Sequence, residues 1–146
     1  MIEEFITDIC ELLDIPIPSI SYDTSHFPTE TTMAQCELTN DIIYIYINKT
    51  DKPNPDYLFA IAHELRHIFQ FQDDEQFYLS NYKTSDNCSS VEEYNLQIAE
   101  VDANAFAGLV MINFFGLKPL FEGLSDSVKA KIFDRMKYLE ATEFSL

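Results

Sequence analysis

Two histidines four residues apart, His63 and His67, constrain this chain more than any other feature of its sequence. They lie in the segment AIAHELRHIF, residues 60–69. The spacing of the apolar residues around them predicts a helix over residues 55–71. The side of this helix expected to face a hydrophobic core consists of Leu58, Ile61, Ala62, Leu65, Ile68 and Phe69. Because residues four apart on a helix lie one above the other, both imidazoles should project from the same face.

Two imidazoles placed in this way can occupy two corners of a tetrahedral Zn²⁺ site. Glu64 is turned away from direct ligation but is close enough to act on a water molecule at the metal, which is the chemistry of the HExxH motif. The metal lowers the pKa of that water, and Glu64 can take its proton during attack on a carbonyl. A shuffled chain with only three histidines in 146 residues contains this pattern about once in 200 times. The pattern therefore favours a zinc site over two helix histidines without a metal.

An open catalytic zinc site usually has three protein ligands. No histidine follows His67, so we expect the third ligand to be a carboxylate on another helix. The segment AEVDANAFAG supplies Glu100, and Asn104 follows one turn later as an oxygen acceptor for the N–H of a ligating histidine. The rival ligand is Asp102, on nearly the opposite face, which is otherwise expected to be a solvent-exposed carboxylate. Acids of the preceding loop are further alternatives: Asp73, Asp74 and Glu75.

The amino-terminal half of the chain predicts one helix and a small sheet before the histidine helix. Apolar residues recur at helical spacing over residues 2–14, and prolines follow. A short strand is expected at residues 20–24. Two further strands, residues 33–38 and 42–48, flank the turn-like Thr39-Asn40-Asp41 and predict a hairpin. In the second of these, Ile43, Ile45 and Ile47 should share one face, with Tyr44 and Tyr46 on the other. Asn54 and Pro55 are typical of the helix start that follows.

The carboxyl-terminal half predicts a long polar connection and two helices. Residues 72–89 are polar and are expected to form a loop. Ser90, with Glu93 three residues later, forms a capping pattern that should open one long helix ending near Gly116. Four small residues of this helix should allow close approach to the histidine helix: Ala99, Ala103, Ala107 and Gly108. A last helix is expected over residues 125–142, with an apolar stripe of Val128, Ile132, Phe133, Met136 and Leu139. The predicted class is α+β, in a single domain over residues 1–146.

The composition restricts the possible partners. The formal net charge is −16, from 25 acidic and 9 basic residues. A surface this acidic is not expected to bind nucleic acid through its phosphates. An acidic protein that imitates nucleic acid is an alternative that the charge alone allows. No uninterrupted apolar run reaches the roughly 18 residues of a membrane span, so no membrane association is expected.

The amino terminus and the cysteines favour a cytoplasmic protein. The sequence MIEEFITDIC begins with acids and lacks the basic region of a secretory signal. The three cysteines, Cys10, Cys36 and Cys88, form no CxxC pair and predict neither a disulfide framework nor a thiolate zinc site. We expect reduced cysteines that serve in packing.

HELRH followed by EVDANAFAGLVM resembles the zinc peptidases of the ImmA/IrrE type, within the wider gluzincin group. Five residues match the pattern of the second motif: Glu100, Ala103, Asn104, Phe106 and Ala107. The family more often has glycine at the position of Arg66, and proline at that of Ile112. The two motifs also look similar to small metallopeptidase-like proteins of phages and mobile elements. The resemblance covers about residues 35–112.

This resemblance implies a minimal zincin-like fold, in which a small sheet packs on the active-site helix. An edge strand of such a sheet can align an extended peptide, and residues 42–48 are our candidate for it. Family members cleave regulatory proteins such as repressors, so the resemblance implies a selective endopeptidase acting on a protein or peptide substrate. It implies one Zn²⁺ per chain, with Glu64 as the catalytic base.

A neutral donor often stabilises the oxyanion that develops in such a reaction. Tyr78, Tyr82 and Tyr94 are candidates because they lie in or beside the connection between the two motifs, although ordinary packing is the default role of each. His26 is a further candidate. Two other functions stay open at this point: a zincin-like module that binds a partner without catalysis, and the acidic mimic of DNA.

Overall fold

The computed structural model describes residues 2–25, 27–38, 43–48 and 52–144, and over these ranges the chain is an α+β protein. They contain six α-helices and a three-stranded mixed sheet. The chain forms two compact units, Met1–Asp73 and Asp74–Leu146. The single domain expected from chain length stays a prediction. His26 and the predicted turn at Thr39-Asn40-Asp41 lie outside the described residues.

The first unit follows the predicted order of helix, strands and helix. Its elements are α1 (Ile2–Leu13), β1 (Ser19–Ser21), β2 (Ala34–Leu38), β3 (Ile43–Ile47) and α2 (Pro55–Asp73). In the sheet, β3 pairs in parallel with β1 and antiparallel with β2, with Cys36 opposite Ile45. The strand pair predicted as a hairpin is therefore confirmed in its pairing.

The apolar sides of the sheet and of α2 form the core of this unit. Ile45 and Ile47 of β3 are fully buried, whereas Tyr44 and Tyr46 are half-buried. This alternation follows from the two-residue period of a strand. Burying each isoleucine contributes about 1.5–3 kcal/mol. Of the six apolar residues predicted for the core side of α2, four are buried and two, Leu58 and Phe69, are half-buried.

The position of β3 corrects one prediction. The strand at residues 42–48 was expected to be an edge strand, but the strand order is β1-β3-β2, so β3 is central. A central strand has a hydrogen-bonded neighbour on each side, so β3 offers no free edge to an added peptide. The edges of the described sheet are β1 and β2.

The start of α2 forms as the sequence predicts. The side-chain oxygen of Asn54 accepts a hydrogen bond from the backbone N–H of Tyr57 at 2.8 Å, and Pro55 is the first helical residue. The Tyr57 hydroxyl donates to the backbone carbonyl of Asn48. These bonds fix where the helix begins, and so they fix the position of the histidines two turns later.

The second unit is helical. Its elements are α3 (Glu75–Asn81), a short 3₁₀ helix (Ser85–Asn87), α4 (Val91–Asn95), α5 (Ile98–Phe115) and α6 (Asp126–Thr142). The loop predicted over residues 72–89 is therefore wrong in part. Asp74 caps α3 by accepting a hydrogen bond from the N–H of Phe77 at 3.0 Å. An aspartate at this position is a common start signal of a helix. It was missed in the sequence because most of the segment is polar.

The long helix predicted from Ser90 is in fact two helices. Ser90 caps the first as expected, since its hydroxyl accepts from the N–H of Glu93 at 3.0 Å. The chain then breaks at Gln97, whose ψ angle of 142° is extended. The Gln97 side-chain oxygen accepts from the N–H of Lys83 at 2.6 Å, and its nitrogen donates to the Lys83 carbonyl at 2.9 Å. Bonds to the backbone of a distant residue thus replace the continuation of the helix.

Helix α5 ends at Gly116 as predicted, with a left-handed φ of 65°. The role of Gly108 in the approach to the histidine helix stays a prediction, and within the second unit a Cβ at this position would meet Pro119 at 3.1 Å and Met136 at 3.3 Å. The missing side chain therefore serves packing within the second unit. Ser125 caps α6, and four members of its predicted stripe are buried, whereas Phe133 is exposed.

Helix α5 is also long and apolar enough, by length and composition alone, to cross a membrane. Of its residues, 61% are buried within the protein, and the core helix of a soluble protein passes the same test.

Candidate metal centre

The two histidines of α2 project from the same face, as their spacing requires. Their Nε2 atoms lie 3.1 Å apart, and the ring planes meet at 82°. His67 is 3% exposed and His63 is half-buried. Two imidazole nitrogens bound to one zinc at tetrahedral angles lie about 3.3 Å apart, given Zn–N bonds of about 2.0–2.1 Å. The observed pair is therefore close to the separation that a shared zinc ion needs.

The other ring nitrogen of His67 has a partner on the same helix. Its Nδ1 lies 2.9 Å from the side-chain oxygen of Gln70. If Nε2 faces a metal, Nδ1 carries the proton and donates to Gln70, which fixes the ring orientation. The sequence predicts this kind of role for Asn104. No motif pointed to Gln70, although a glutamine three residues after a histidine lies within reach on a helix. Asn104 is half-buried in α5, and its role stays a prediction.

Glu64 is held by the neighbouring strand. Its Oε2 accepts a hydrogen bond from the backbone N–H of Cys36, in β2, at 3.3 Å. Glu64 is half-buried. Because the donor is a backbone N–H of β2, the bond positions the Glu64 carboxylate relative to the sheet. It does not depend on the side chain at residue 36.

Arg66, between the two halves of the motif, is 2% exposed. Charged side chains are almost never buried this deeply unless they are paired. On its own helix, its guanidinium lies over the ring of Phe69, 4.5 Å from the centroid. In the sequence, Arg66 stands out only as a departure from the family pattern. The burial is that of the Arg66 side chain itself, since its neighbour Phe69 is only half-buried.

Glu100 lies in the first turn of α5 and is 3% exposed. The positive end of the helix dipole stabilises a carboxylate at this position. Tyr94, in α4, lies close enough to Glu100 for the charge of the carboxylate to act on its hydroxyl. Burial, followed by the negative charge of Glu100, raises the pKa of Tyr94 above its ordinary value. The second unit therefore holds a buried carboxylate together with a phenol that keeps its proton.

Two of the three tyrosines proposed as oxyanion donors contact each other. The hydroxyl oxygens of Tyr82 and Tyr94 lie 2.9 Å apart. Tyr78 stacks on Tyr82 with ring centroids 5.1 Å apart and planes at 10°. The oxyanion role of all three stays a prediction.

Asp102 differs from its prediction. It was expected to be solvent-exposed unless it bound the metal, but it is 5% exposed, and its Oδ1 accepts from Nε of Arg135 at 2.8 Å. The partner lies on α6, 33 residues away, so the spacing of residues on α5 could not reveal it. The ion pair gives Asp102 a structural role in joining α5 to α6. Of the loop acids, Asp73 ends α2, Asp74 caps α3 and Glu75 lies in its first turn.

The three predicted ligands lie together. One ring nitrogen each of His63 and His67 and one carboxylate oxygen of Glu100 are all within 4.8 Å of one another, and this group could hold a metal ion. Two imidazoles and one carboxylate form a donor set that suits zinc. The residues present therefore fit the metal that the motif implies.

Comparison of the chain with protein-family models, with curated proteins and with solved structures gave no match. The interpretation of the site therefore depends on its own residues and their geometry.

Proposed function

We propose that the chain is a zinc-dependent metallopeptidase with a minimal zincin-like fold, in which His63, His67 and Glu100 bind one Zn²⁺. The observation that carries the proposal is the grouping of these three donors within 4.8 Å, with Glu64 directly after the first histidine. A structural zinc site needs no such glutamate, because four ligands saturate the metal. The presence of Glu64 therefore favours catalysis.

A bound zinc ion would lower the pKa of a water molecule and polarise the scissile carbonyl. Glu64 would take a proton from the water and deliver it to the leaving amine. The N–H of Cys36 keeps the Glu64 carboxylate in place during both steps. Gln70 orients His67 from the side away from the metal, so its ring need not reorganise.

The edge strand β2 is the element best placed to align a substrate, and it replaces β3 in this role. It lies at the edge of the described sheet, and its Cys36 contacts the proposed base. An extended peptide that adds to a sheet edge is held by backbone hydrogen bonds. We infer that such a peptide would pass close to Glu64.

The resemblance to ImmA/IrrE-type peptidases supports a selective endopeptidase that acts on a regulatory protein in the cytoplasm. Among the described residues, Cys10, Cys36 and Cys88 form no disulfide, which suits a reducing compartment. The two alternative functions, a binding module without catalysis and an acidic mimic of DNA, do not require Glu64. They are therefore separated from the peptidase by one substitution.

The test compares the zinc-loaded wild type with Glu64→Gln on a peptide library made from a proteome, with new termini read by mass spectrometry. Glutamine has nearly the same shape but cannot take the proton, so the variant should bind zinc like the wild type and lose at least 100-fold in cleavage, the lower end of the usual acid–base contribution. Equal cleavage by both proteins, or cleavage by neither, would contradict the proposal. Activity in the host that survives Glu64→Gln and His63→Ala alike would favour the DNA mimic.

A further inference from the structure

The sheet of the first unit has one face that is turned away from its core. Ile45 of β3 is fully buried, whereas Tyr44 and Tyr46, on either side of it in the sequence, are half-buried. Because side chains alternate along a strand, the two tyrosines point to the side opposite Ile45, which we call the outer face. The strand register places further side chains on it: Ser19 and Ser21 of β1, and Gln35 and Glu37 of β2.

The centre of the outer face is aromatic. The rings of Tyr44 and Tyr46 are stacked, with centroids 5.8 Å apart and planes at 27°. Because both side chains are half-buried, part of each ring faces solvent. A sheet that is covered on one side usually carries polar side chains on the other. A pair of stacked tyrosines there is typical of the centre of a protein-binding surface, where this residue is enriched.

Carboxylates flank the two rings from the strands on either side of β3. In β2, Oε2 of Glu37 accepts a hydrogen bond from the Tyr46 hydroxyl at 2.6 Å. After β1, the backbone N–H of Asp23 donates to the hydroxyl of Ser21 at 3.2 Å, and Ser21 is paired with Tyr46. Both acids are exposed. A carboxylate has about four acceptor sites, so the bond from Tyr46 leaves Glu37 able to accept others.

The charge of the outer face restricts what can bind to it. None of the three described strands contains a lysine, an arginine or a histidine. A second copy of the chain would place carboxylates against carboxylates in a two-fold contact, which is unfavourable. A cationic partner has the complementary charge.

The second unit shows which cation suits a tyrosine ring beside a carboxylate. The guanidinium of Arg135 lies over the ring of Tyr138, 4.7 Å from its centroid. Its Nε also donates to Asp102 at 2.8 Å. A guanidinium is planar, so it can stack on an aromatic ring while its N–H groups bind a carboxylate. The outer face offers the same two groups, and its strands supply no arginine to occupy them.

We propose that the outer face is a docking surface for a basic, arginine-containing segment of a partner protein. An arginine of the partner stacks on Tyr44 and Tyr46 and donates to Glu37, and Asp23 attracts a further cation. This inference goes beyond the proposed peptidase activity and requires neither zinc nor the catalytic base. If the metal centre binds the same protein, the two contacts act together and select it more strongly than either contact alone.

The experiment measures binding of a fluorescein-labelled peptide, in which four arginines alternate with glycine and serine, by fluorescence anisotropy at about 0.15 M salt. The wild type should bind it more tightly than a peptide with lysine at the same positions, because the flat guanidinium stacks more completely. Tyr44→Thr keeps a good strand former but removes a ring. It should weaken binding of the arginine peptide by about 2- to 5-fold, the contribution of one exposed contact between a cation and a ring.

Substitution of one acid separates a defined contact from general attraction to an acidic protein. Glu37→Gln should weaken binding of the arginine peptide by about 10-fold, because it removes a charged hydrogen-bond acceptor. Glu11→Gln removes the same charge from an exposed position of α1 and is the matched control, with a change below about 2-fold. Equal losses in the two variants, or equal affinity of the wild type for both peptides, would overturn the inference.

Nuclear magnetic resonance locates the contact without a substitution. Titration of the wild type with the arginine peptide should shift the backbone amide signals of β1, β2 and β3 more than those of α1 and α6. Shifts of similar size over all of these elements would overturn the inference. A dimer in the absence of peptide that Tyr44→Thr dissociates would assign the outer face to a second copy, and would also overturn it.

The docking surface and the proposed function fail separately. The arginine peptide should bind equally well before and after zinc is removed with a chelator. Loss of binding on removal of zinc would place the peptide at the metal centre and overturn the docking surface. A protein that binds the peptide as expected but binds no zinc would overturn the proposed function alone.

Discussion

At the scale of single residues, the sequence revealed the proposed ligands but not the groups that position them. His63, Glu64 and His67 could be predicted because helix geometry alone sets their relative positions. The backbone N–H of Cys36 that holds Glu64 could not, because it depends on how β2 packs on α2. Asp102 was misjudged for the same reason, since its burial depends on Arg135 in another helix.

Gln70 offers a direct test of the histidine geometry. Gln70→Ala should lower zinc affinity by about 10-fold, because the Nδ1–H of His67 loses the acceptor that orients the ring. Competition with a chelator measures the change. Gln72→Ala, at an exposed position of the same helix, is the matched control and should have no effect.

Equal zinc affinity of Gln70→Ala and Gln72→Ala would contradict the role of Gln70 in orienting His67. A loss of stability in Gln70→Ala without a loss of affinity would also contradict it. Thermal unfolding of both metal-free variants distinguishes the two cases.

At the scale of elements, helices and strands with a strong apolar periodicity were predicted correctly. The structure of the polar segments was not. Helices α1, α2 and α6 formed within two residues of their predicted bounds, because each carries an apolar stripe and two of them a clear cap. The segment 72–89 was misjudged because its helix is short and mostly exposed, so it has little apolar period to detect. The break inside the predicted long helix depends on Gln97 meeting Lys83, a contact that no local pattern encodes.

Gln97 should therefore stabilise the junction of α4 and α5. Gln97→Ala removes two hydrogen bonds to the backbone of Lys83 and one to Tyr94. Because these groups are partly exposed, we expect a loss of about 1–2 kcal/mol in the free energy of unfolding. Urea denaturation measures this loss, and hydrogen exchange should become faster in Val91–Asn95.

The control is Gln76→Ala, at an exposed position of α3, which should change the free energy of unfolding by less than about 0.5 kcal/mol. If the two variants lost equal stability, or if exchange in α4 were unchanged in Gln97→Ala, Gln97 would not hold the junction.

At the scale of the whole molecule, the predicted order of helices and strands indicated the α+β class, but composition did not indicate the function. The charge of −16 is compatible with an acidic enzyme and with a mimic of DNA, because net charge bears on solubility and steering and not on the fold. What separates these functions is the small group of His63, His67 and Glu100. The central claim is therefore that this group binds zinc and that Glu100 is the third ligand.

The most direct test of that claim is the zinc content of the purified protein, measured by mass spectrometry of the metal. We expect about one zinc per chain in the wild type, as one open catalytic site requires. Glu100→Ala should lose it. Asp102→Asn should keep it, because Asp102 pairs with Arg135. A wild type without zinc, or a Glu100→Ala variant that keeps its zinc while Asp102→Asn loses it, would contradict the claim.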